Sequence, residues 1–520
     1  MDLLIISDLH LSQGRDPVSG RVFRHEDFFF DDDFVDFLYH HQHAPRWRNH
    51  RWRLIINGDF LDFLQVTAVP PERHGPASRY GLKAGEEETA WKLKIIMQGH
   101  YDFFQALAEF TAEHSLTIVL GNHDIELWYP QVREMFVSQL QARLPEKSLQ
   151  IGSNIDILPW FYFDGQVYAE HGHQYDKLNS FKHPLDPRLP KIEAIRADEQ
   201  DHIDLPWGSF FVRYLFNRVE LDIPDADNIK PATRFLSWFI RTRPGRAYQF
   251  LLGDGREMLR RMKGKWQTFP ESAYVERIES QRKALQEMAG RLALLDAENG
   301  NPDDAQAEHR WLERLRALDE LHEPPVMRKP RGIWRLHRFL TGSLKLPVLV
   351  TLLLVIFLFG VVLSILNMVW PALPATLTTR FSPDNGNGIW LEIIRWVFLM
   401  EVLVLAGWFL KRRLAPGAGN STPYYPLRQK AILIEKLLHP QFIVMGHTHE
   451  PDLCKLPGGA EYFNTGTWTK IFDEQNRLIR AEKEFVFLRI LRDADGVCNA
   501  RLLKWEGERG KSRLVYLFSS

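Results

Sequence analysis

The stretch Phe442-Ile443-Val444-Met445-Gly446-His447-Thr448-His449 decides how the rest of the chain is read. Four apolar residues in a row read as a buried strand. A glycine then turns the backbone, and two histidines follow one residue apart. Neutral imidazole is a good ligand for divalent metals, and two from one strand end can serve two adjacent ions. Taken alone, a His-x-His is more often a surface pair than a metal site. Here, four other apolar runs end in residues of the same kind.

The first is Leu3-Leu4-Ile5-Ile6, which ends in Ser7-Asp8-Leu9-His10. If the chain stays extended, alternation places Asp8 and His10 on one side, where both can reach one ion. The second, Leu54-Ile55-Ile56-Asn57, is followed by Gly58-Asp59. The glycine permits a sharp turn, and a carboxylate there can bridge two cations and lower their mutual repulsion. The third, Leu116 to Leu120, runs into Gly121-Asn122-His123-Asp124, the most specific of the five. Asn122 can bind a metal through its side-chain carbonyl. His123 can donate a proton, with Asp124 holding its tautomer. The fourth, Gln166 to Glu170, precedes His171-Gly172-His173. His171 stands at the strand end and is the better ligand candidate; His173 supports it or contacts substrate.

With 520 residues and 45% hydrophobic content, the chain can bury a sizeable core and more than one domain. A net charge of −1 creates no global field toward nucleic acid. Two cysteines, Cys454 and Cys498, exclude a disulfide framework and a thiolate zinc site, which suits a reducing compartment. Met1 leads within two residues into an apolar strand, so no signal peptide is expected. Phe30, Phe34, Phe37 and Leu38 have helical spacing and predict a core-facing helix in the stretch 24–39.

Taken in order, the blocks Asp8-x-His10, Gly58-Asp59, Gly121-Asn122-His123-Asp124, His171-Gly172-His173 and Gly446-His447-Thr448-His449 resemble the calcineurin-like metallophosphoesterase superfamily. The likeness covers roughly residues 1–185 and 425–520. It implies an α/β fold: a four-layer αββα sandwich of two mixed sheets, with metals at strand C-terminal ends, in keeping with the rule for open α/β sheets. It implies that Asp8, His10, Asp59 and His449 hold one ion, and that Asp59, Asn122, His171 and His447 hold the other, with Asp59 bridging. It makes His123 the general acid, oriented by Asp124, and water the nucleophile. Oxygen and nitrogen donors suit manganese, iron or zinc. Within the superfamily, the late Gly-His-Thr-His-x-Pro, here Gly446 to Pro451, is similar to bacterial UDP-2,3-diacylglucosamine hydrolases. Those typically carry Arg where this chain has His123, and they lack a transmembrane hairpin. The likeness therefore speaks to the chemistry more than to the substrate.

Residues 190–342 read as a helical insertion or cap between the two parts of the catalytic fold, 1–189 and 425–520. Within it, 208–219 and 233–241 are aromatic-rich and edged with arginine, which suits either a membrane interface or the core of a cap. The charged stretch 273–321 reads as an antiparallel helical pair, broken at Gly300-Asn301-Pro302, with a solvated face.

A transmembrane hairpin is expected over 343–413. Leu346 to Trp370 is 25 residues without a charge, enough to span a bilayer with some tilt. Ile389 to Leu410 is apolar apart from Glu392, Arg395 and Glu401; Glu392 and Arg395 are one turn apart and can pair. His449 and Asp8 must share one ion, so they lie on one side of any membrane, and only zero or two crossings are allowed. Arg328, Lys329, Arg331, Arg335 and Arg338 precede the first run, and Lys411, Arg412 and Arg413 follow the second. The positive-inside rule then places both soluble parts in the cytoplasm. Residues 414–424 act as a linker.

These readings converge on a membrane-anchored, dinuclear metal-dependent hydrolase of phosphomonoester, phosphodiester or pyrophosphate bonds, with a lipid-linked substrate favoured by the hairpin. The alternatives are a UDP-2,3-diacylglucosamine-type pyrophosphate hydrolase and a catalytically weak membrane scaffold or sensor that keeps the metal site for structure.

Overall fold

The computed structural model describes residues 1–72, 79–192, 195, 199, 201–219, scattered positions between 243 and 265, and 271–298, 306–325, 424–469, 485–493, 495–506 and 511–514. The chain divides into two units, 1–329 with 423–520, and 330–422. All described elements belong to the first. The expected spans 346–370 and 389–410, most of the 414–424 linker and the run 233–241 lie outside the described residues. Among the described residues, no helix is long and apolar enough to cross a membrane.

The fold is mixed α/β, with two mixed sheets. The strands are β1 (Asp2–Ile6), β2 (Trp52–Asn57), β3 (Ser115–Val119), β4 (Ile155–Leu158), β5 (Phe161–Phe163), β6 (Val167–Glu170), β7 (Phe442–Met445), β8 (Pro451–Lys455), β9 (Glu461–Thr465), β10 (Phe485–Arg492), β11 (Cys498–Glu506) and β12 (Lys511–Leu514). One sheet has the order β12-β11-β10-β1-β2-β3-β4, the other β5-β6-β7-β9-β8. In the first, β1, β2, β3 and β4 run parallel and β10 joins β1 antiparallel. In the second, β6, β7 and β9 are parallel.

Alternation along each strand distributes the core. Leu3 and Ile5 of β1, Ile55 of β2, Val486, Leu488 and Ile490 of β10, Phe442 and Val444 of β7 and Phe463 of β9 share one cluster, where the two sheets face each other. Their alternates on the first sheet, Leu4, Ile6, Leu54, Ile56, Phe485 and Phe487, pack against helices α1 (Asp31–His43), α2 (Glu86–Gly99), α3 (Tyr101–Thr111) and α4 (Pro130–Gln141). On the second sheet, Tyr168, Ile443, Met445 and Tyr462 pack against α5 (Val275–Glu298), α6 (Ala307–Asp319) and α7 (Tyr424–Leu438). Burial on both faces is why these strands read as unbroken apolar runs.

The insertion is therefore continuous with the two-sheet unit where it is described. Trp311 donates to Asp296 at 2.7 Å and Gln281 to Asp319 at 3.0 Å, which makes α5 and α6 antiparallel. Their apolar stripe, with Leu285, Leu292, Trp311 and Leu315, closes the core over the second sheet. The helix expected around Phe34 begins at Asp31 and buries Phe34, Phe37 and Leu38. The segment 207–219 is helical, with a π turn over Val212–Phe216. Arg213 is buried there, and its guanidinium donates to the carbonyls of Gly81 and Leu82. That places 208–219 in the protein core, away from the interfacial alternative.

Candidate metal centre

Parallel pairing brings the C-terminal ends of β1, β2 and β3 side by side, and those of β6 and β7 opposite them. Asn57, at the end of β2, ties the sheets together by donating to the carbonyls of Glu170 at 3.0 Å and Val444 at 3.4 Å. The loops beyond the strands are zipped too. Asp8 N–H donates to Gly58 O, both Leu9 and His10 N–H to Asp59 O, and Gly446 N–H to His171 O. Topology thus delivers five sequence blocks, up to 441 residues apart by number (8 to 449), to one place.

Among the described residues, three groups of converging donor atoms could hold a metal: Asp8, His10 and His449; Asp59, His171 and His447; and His10, Asp62 and His123. In the first, His449 Nε2 lies 3.2 Å from Asp8 Oδ1 and 3.1 Å from His10 Nε2. Donors bound at about 2.1 Å to one ion stand roughly 3 Å apart at right angles, so this spacing is that of co-ligands. Asp59 Oδ2 lies 3.0 Å from His171 Nε2 and 3.8 Å from His10 Nε2, and so touches members of the first two groups. Among the proposed ligand atoms, Asn122 Oδ1 is buried with no hydrogen-bond partner, while Asp8 Oδ1 and His171 Nε2 are buried and meet other proposed ligands, His449 and Asp59. A buried polar atom left unpaired costs about 1–3 kcal/mol, and metal coordination removes that cost. The donor set fits a bound metal ion.

The backbone carries the same signature. Among the described residues, seven non-glycine residues have positive φ, and five of them are Asp8, His10, Asp59, His447 and His449. A left-handed conformation costs a side-chain-bearing residue about 1–2 kcal/mol. Strain concentrated on ligand residues points to function. It also corrects the expectation for Asp8 and His10: they converge through left-handed turns rather than through strand alternation, because their N–H groups bond to the neighbouring loop.

The glycines of three blocks have a steric reason. A Cβ on Gly121 would sit 2.2 Å from Asp59 Oδ1. One on Gly58 would sit 2.3 Å from His171 Cγ, and one on Gly446 2.6 Å from Asp8 Oδ2. Each glycine lets a ligand from another strand occupy the space of its missing side chain.

Burial raises the Asp59 carboxyl, but the His171 and His123 imidazoles outweigh it and hold it well below the usual range. Burial likewise opposes ionisation of Asp8, and His171 and His449 overcome it. Burial disfavours the charged form of His171, yet Asp59 and Asp8 push it up to about 9. The centre is buried, and His123 and His447 are among its partly exposed members.

The expected role of Asp124 is corrected. Its two oxygens accept Gly121 N–H at 2.6 Å and Phe60 N–H at 2.7 Å, which fixes the loop beneath Asp59. Burial and the Asp59 charge push it up to about 7. The carboxylate that holds His123 is Asp62, whose Oδ2 lies 2.6 Å from His123 Nδ1 and 3.4 Å from His10 Nδ1. Its sequence signal was an acid three residues past Asp59. Asp176 was also missed; its Oδ2 lies 3.3 Å from His447 Nε2. His173 is buried beside His171, ring centroids 5.5 Å apart, and neither ring nitrogen has a partner. From the tail, Thr467 Oγ1 donates to Asp8 O at 2.6 Å and Asn464 Nδ2 to Gly446 O at 2.8 Å, so Asn464 and Thr467 brace the loops of the candidate ligands. No protein-family model, curated protein or solved structure matches the chain.

Proposed function

We propose that this protein is a dinuclear metal-dependent phosphoesterase of the metallophosphoesterase type, anchored to a membrane by the hairpin at 343–413. The observation that carries the reading is the position of Asp59 Oδ2, in contact with a proposed ligand of each ion. The layering of helices and sheets and the placement of all ligands at strand ends support the resemblance found in the sequence.

Asp8, His10, Asp59 and His449 would hold one ion, and Asp59, Asn122, His171 and His447 the other. When bound, the pair would stabilise charge on a phosphoryl group and lower the pKa of the attacking water. The protein's own contribution is position and a proton. Asp62 accepts Nδ1–H of His123 and orients the ring; with Nε2 also protonated, the imidazolium would give that Nε2 proton to the leaving oxygen of a substrate. The carboxylates of Asp8 and Asp59 supply the negative charge that retains two cations.

The uncharged run at 346–370 and the basic residues flanking the hairpin support a cytoplasmic catalytic unit at the membrane surface, and with it a lipid-linked phosphate ester or pyrophosphate. The test is turnover of an aryl phosphate by the purified protein with manganese. Saturable hydrolysis lost on chelation is expected. Two tightly held ions without hydrolysis would favour the scaffold alternative.

A further inference from the structure

We propose that Asn217, in the insertion, is a positioning residue for His123, acting through the turn that carries Asp62. The proposal rests on the phosphoesterase reading for its kinetic consequence, but not for its geometry.

Asp62 Oδ2 is the acceptor for His123, and its other oxygen caps its own turn, accepting Leu64 N–H at 2.9 Å and Gln65 N–H at 3.0 Å. The carboxylate can therefore point at His123 only while the turn Asp62–Gln65 keeps its shape. Two buried side chains hold the turn's outward carbonyls. Lys92 Nζ, from α2, reaches Phe63 O at 3.4 Å. Asn217 Nδ2 donates to Leu64 O at 2.8 Å. Asn217 is itself fixed at both ends of its helical turn: its carbonyl accepts a ring N–H of His25 at 2.9 Å, and Arg213, one turn earlier, binds the carbonyls of Gly81 and Leu82.

Asn217 is 2% exposed, so water does not compete for Leu64 O. Asp62 groups with His10 and His123 as a set that could hold a metal, but the Asn217 amide belongs to no such set. It sets the direction of the carboxylate that orients the acid. The insertion, which lies outside all five sequence blocks, thereby becomes part of the catalytic support.

The test compares Asn217→Ala, the near-isosteric Asn217→Asp, which lacks the donor, and Asn217→Gln, which keeps it, in the full-length protein. Amide exchange of the peptide spanning 60–67 is read by mass spectrometry. It should quicken about fivefold in the Ala and Asp variants, the equivalent of one hydrogen bond, and less in Gln. With unchanged metal content and KM, kcat on phenyl phosphate should fall about tenfold. On p-nitrophenyl phosphate, whose leaving group needs little protonation, it should fall less. Unchanged exchange in the folded Ala and Asp variants overturns the proposal, as does an equal kcat loss on both esters. A wild-type protein inactive on both esters, yet with quickened exchange in the variants, would instead count against the phosphoesterase reading and leave the clamp standing.

Discussion

His123 Nδ1 lies 2.6 Å from Asp62 Oδ2, while Asp124, the adjacent acid, spends both oxygens on backbone N–H groups. The pairing makes the two carboxylates separable by mutation. His123→Ala should slow hydrolysis by about 10²–10⁴-fold with both ions retained. Asp62→Asn should reproduce much of that loss. Both losses should shrink for leaving groups of low pKa. Asp124→Asn should instead lower thermal stability and leave the leaving-group dependence intact. A plot of log kcat against leaving-group pKa separates the three.

Gly121→Ala should weaken metal binding by about 10–100-fold, the usual effect of disturbing a ligand's support, because its Cβ would collide with Asp59. Gly290→Ala, in the middle of α5 with nothing within 4 Å of the added carbon, should stabilise the protein by up to about 1 kcal/mol and leave metal affinity alone. Metal titration and thermal denaturation of the two variants check this contrast.

How much was readable in advance follows from what each residue depends on. Strand ends, and the candidate ligands that gather at them, were legible because β1, β2, β3, β6 and β7 are buried on both faces and so appear as apolar runs with abrupt polar ends. The α/β class followed from them. Asp62 was not legible: it lies in an ordinary Leu-Asp-Phe-Leu context, and only the fold shows which of two nearby acids meets the imidazole. Asn217 carried no local signal at all, since its role depends on contact with a turn 153 positions away. The left-handed turns at Asp8 and His10 were missed because non-glycine residues there run against local preference.

His100 is buried between Glu26 and Asp31, at 3.2 and 2.8 Å. Burial opposes its charge, but the two carboxylates outweigh it and raise it from 6.5 to about 10. The folded state therefore holds this proton where the unfolded state has released it. The contribution is full below pH 6.5 and is lost as pH rises toward 10, at about 1.4 kcal/mol per pH unit within that window. Denaturant unfolding of wild type and His100→Gln between pH 6 and 10 should show the two converging as pH rises. Parallel curves would place the proton elsewhere.

The proposed hairpin is tested by labelling. In a background without Cys454 and Cys498, a cysteine at Asn385 should react with an impermeant maleimide outside intact cells. One at Gly417 should react only after the membrane is opened. Labelling of Gly417 from outside reverses the orientation.

The central claim is that one carboxylate joins two ions. The most direct measurement is the metal content of purified wild type and Asp59→Asn, with aryl phosphate hydrolysis on the same samples. Two ions per chain and turnover in the wild type, with metal lost from both positions and hydrolysis abolished in Asp59→Asn, is the expected result. Two ions per chain and undiminished hydrolysis in Asp59→Asn would contradict it.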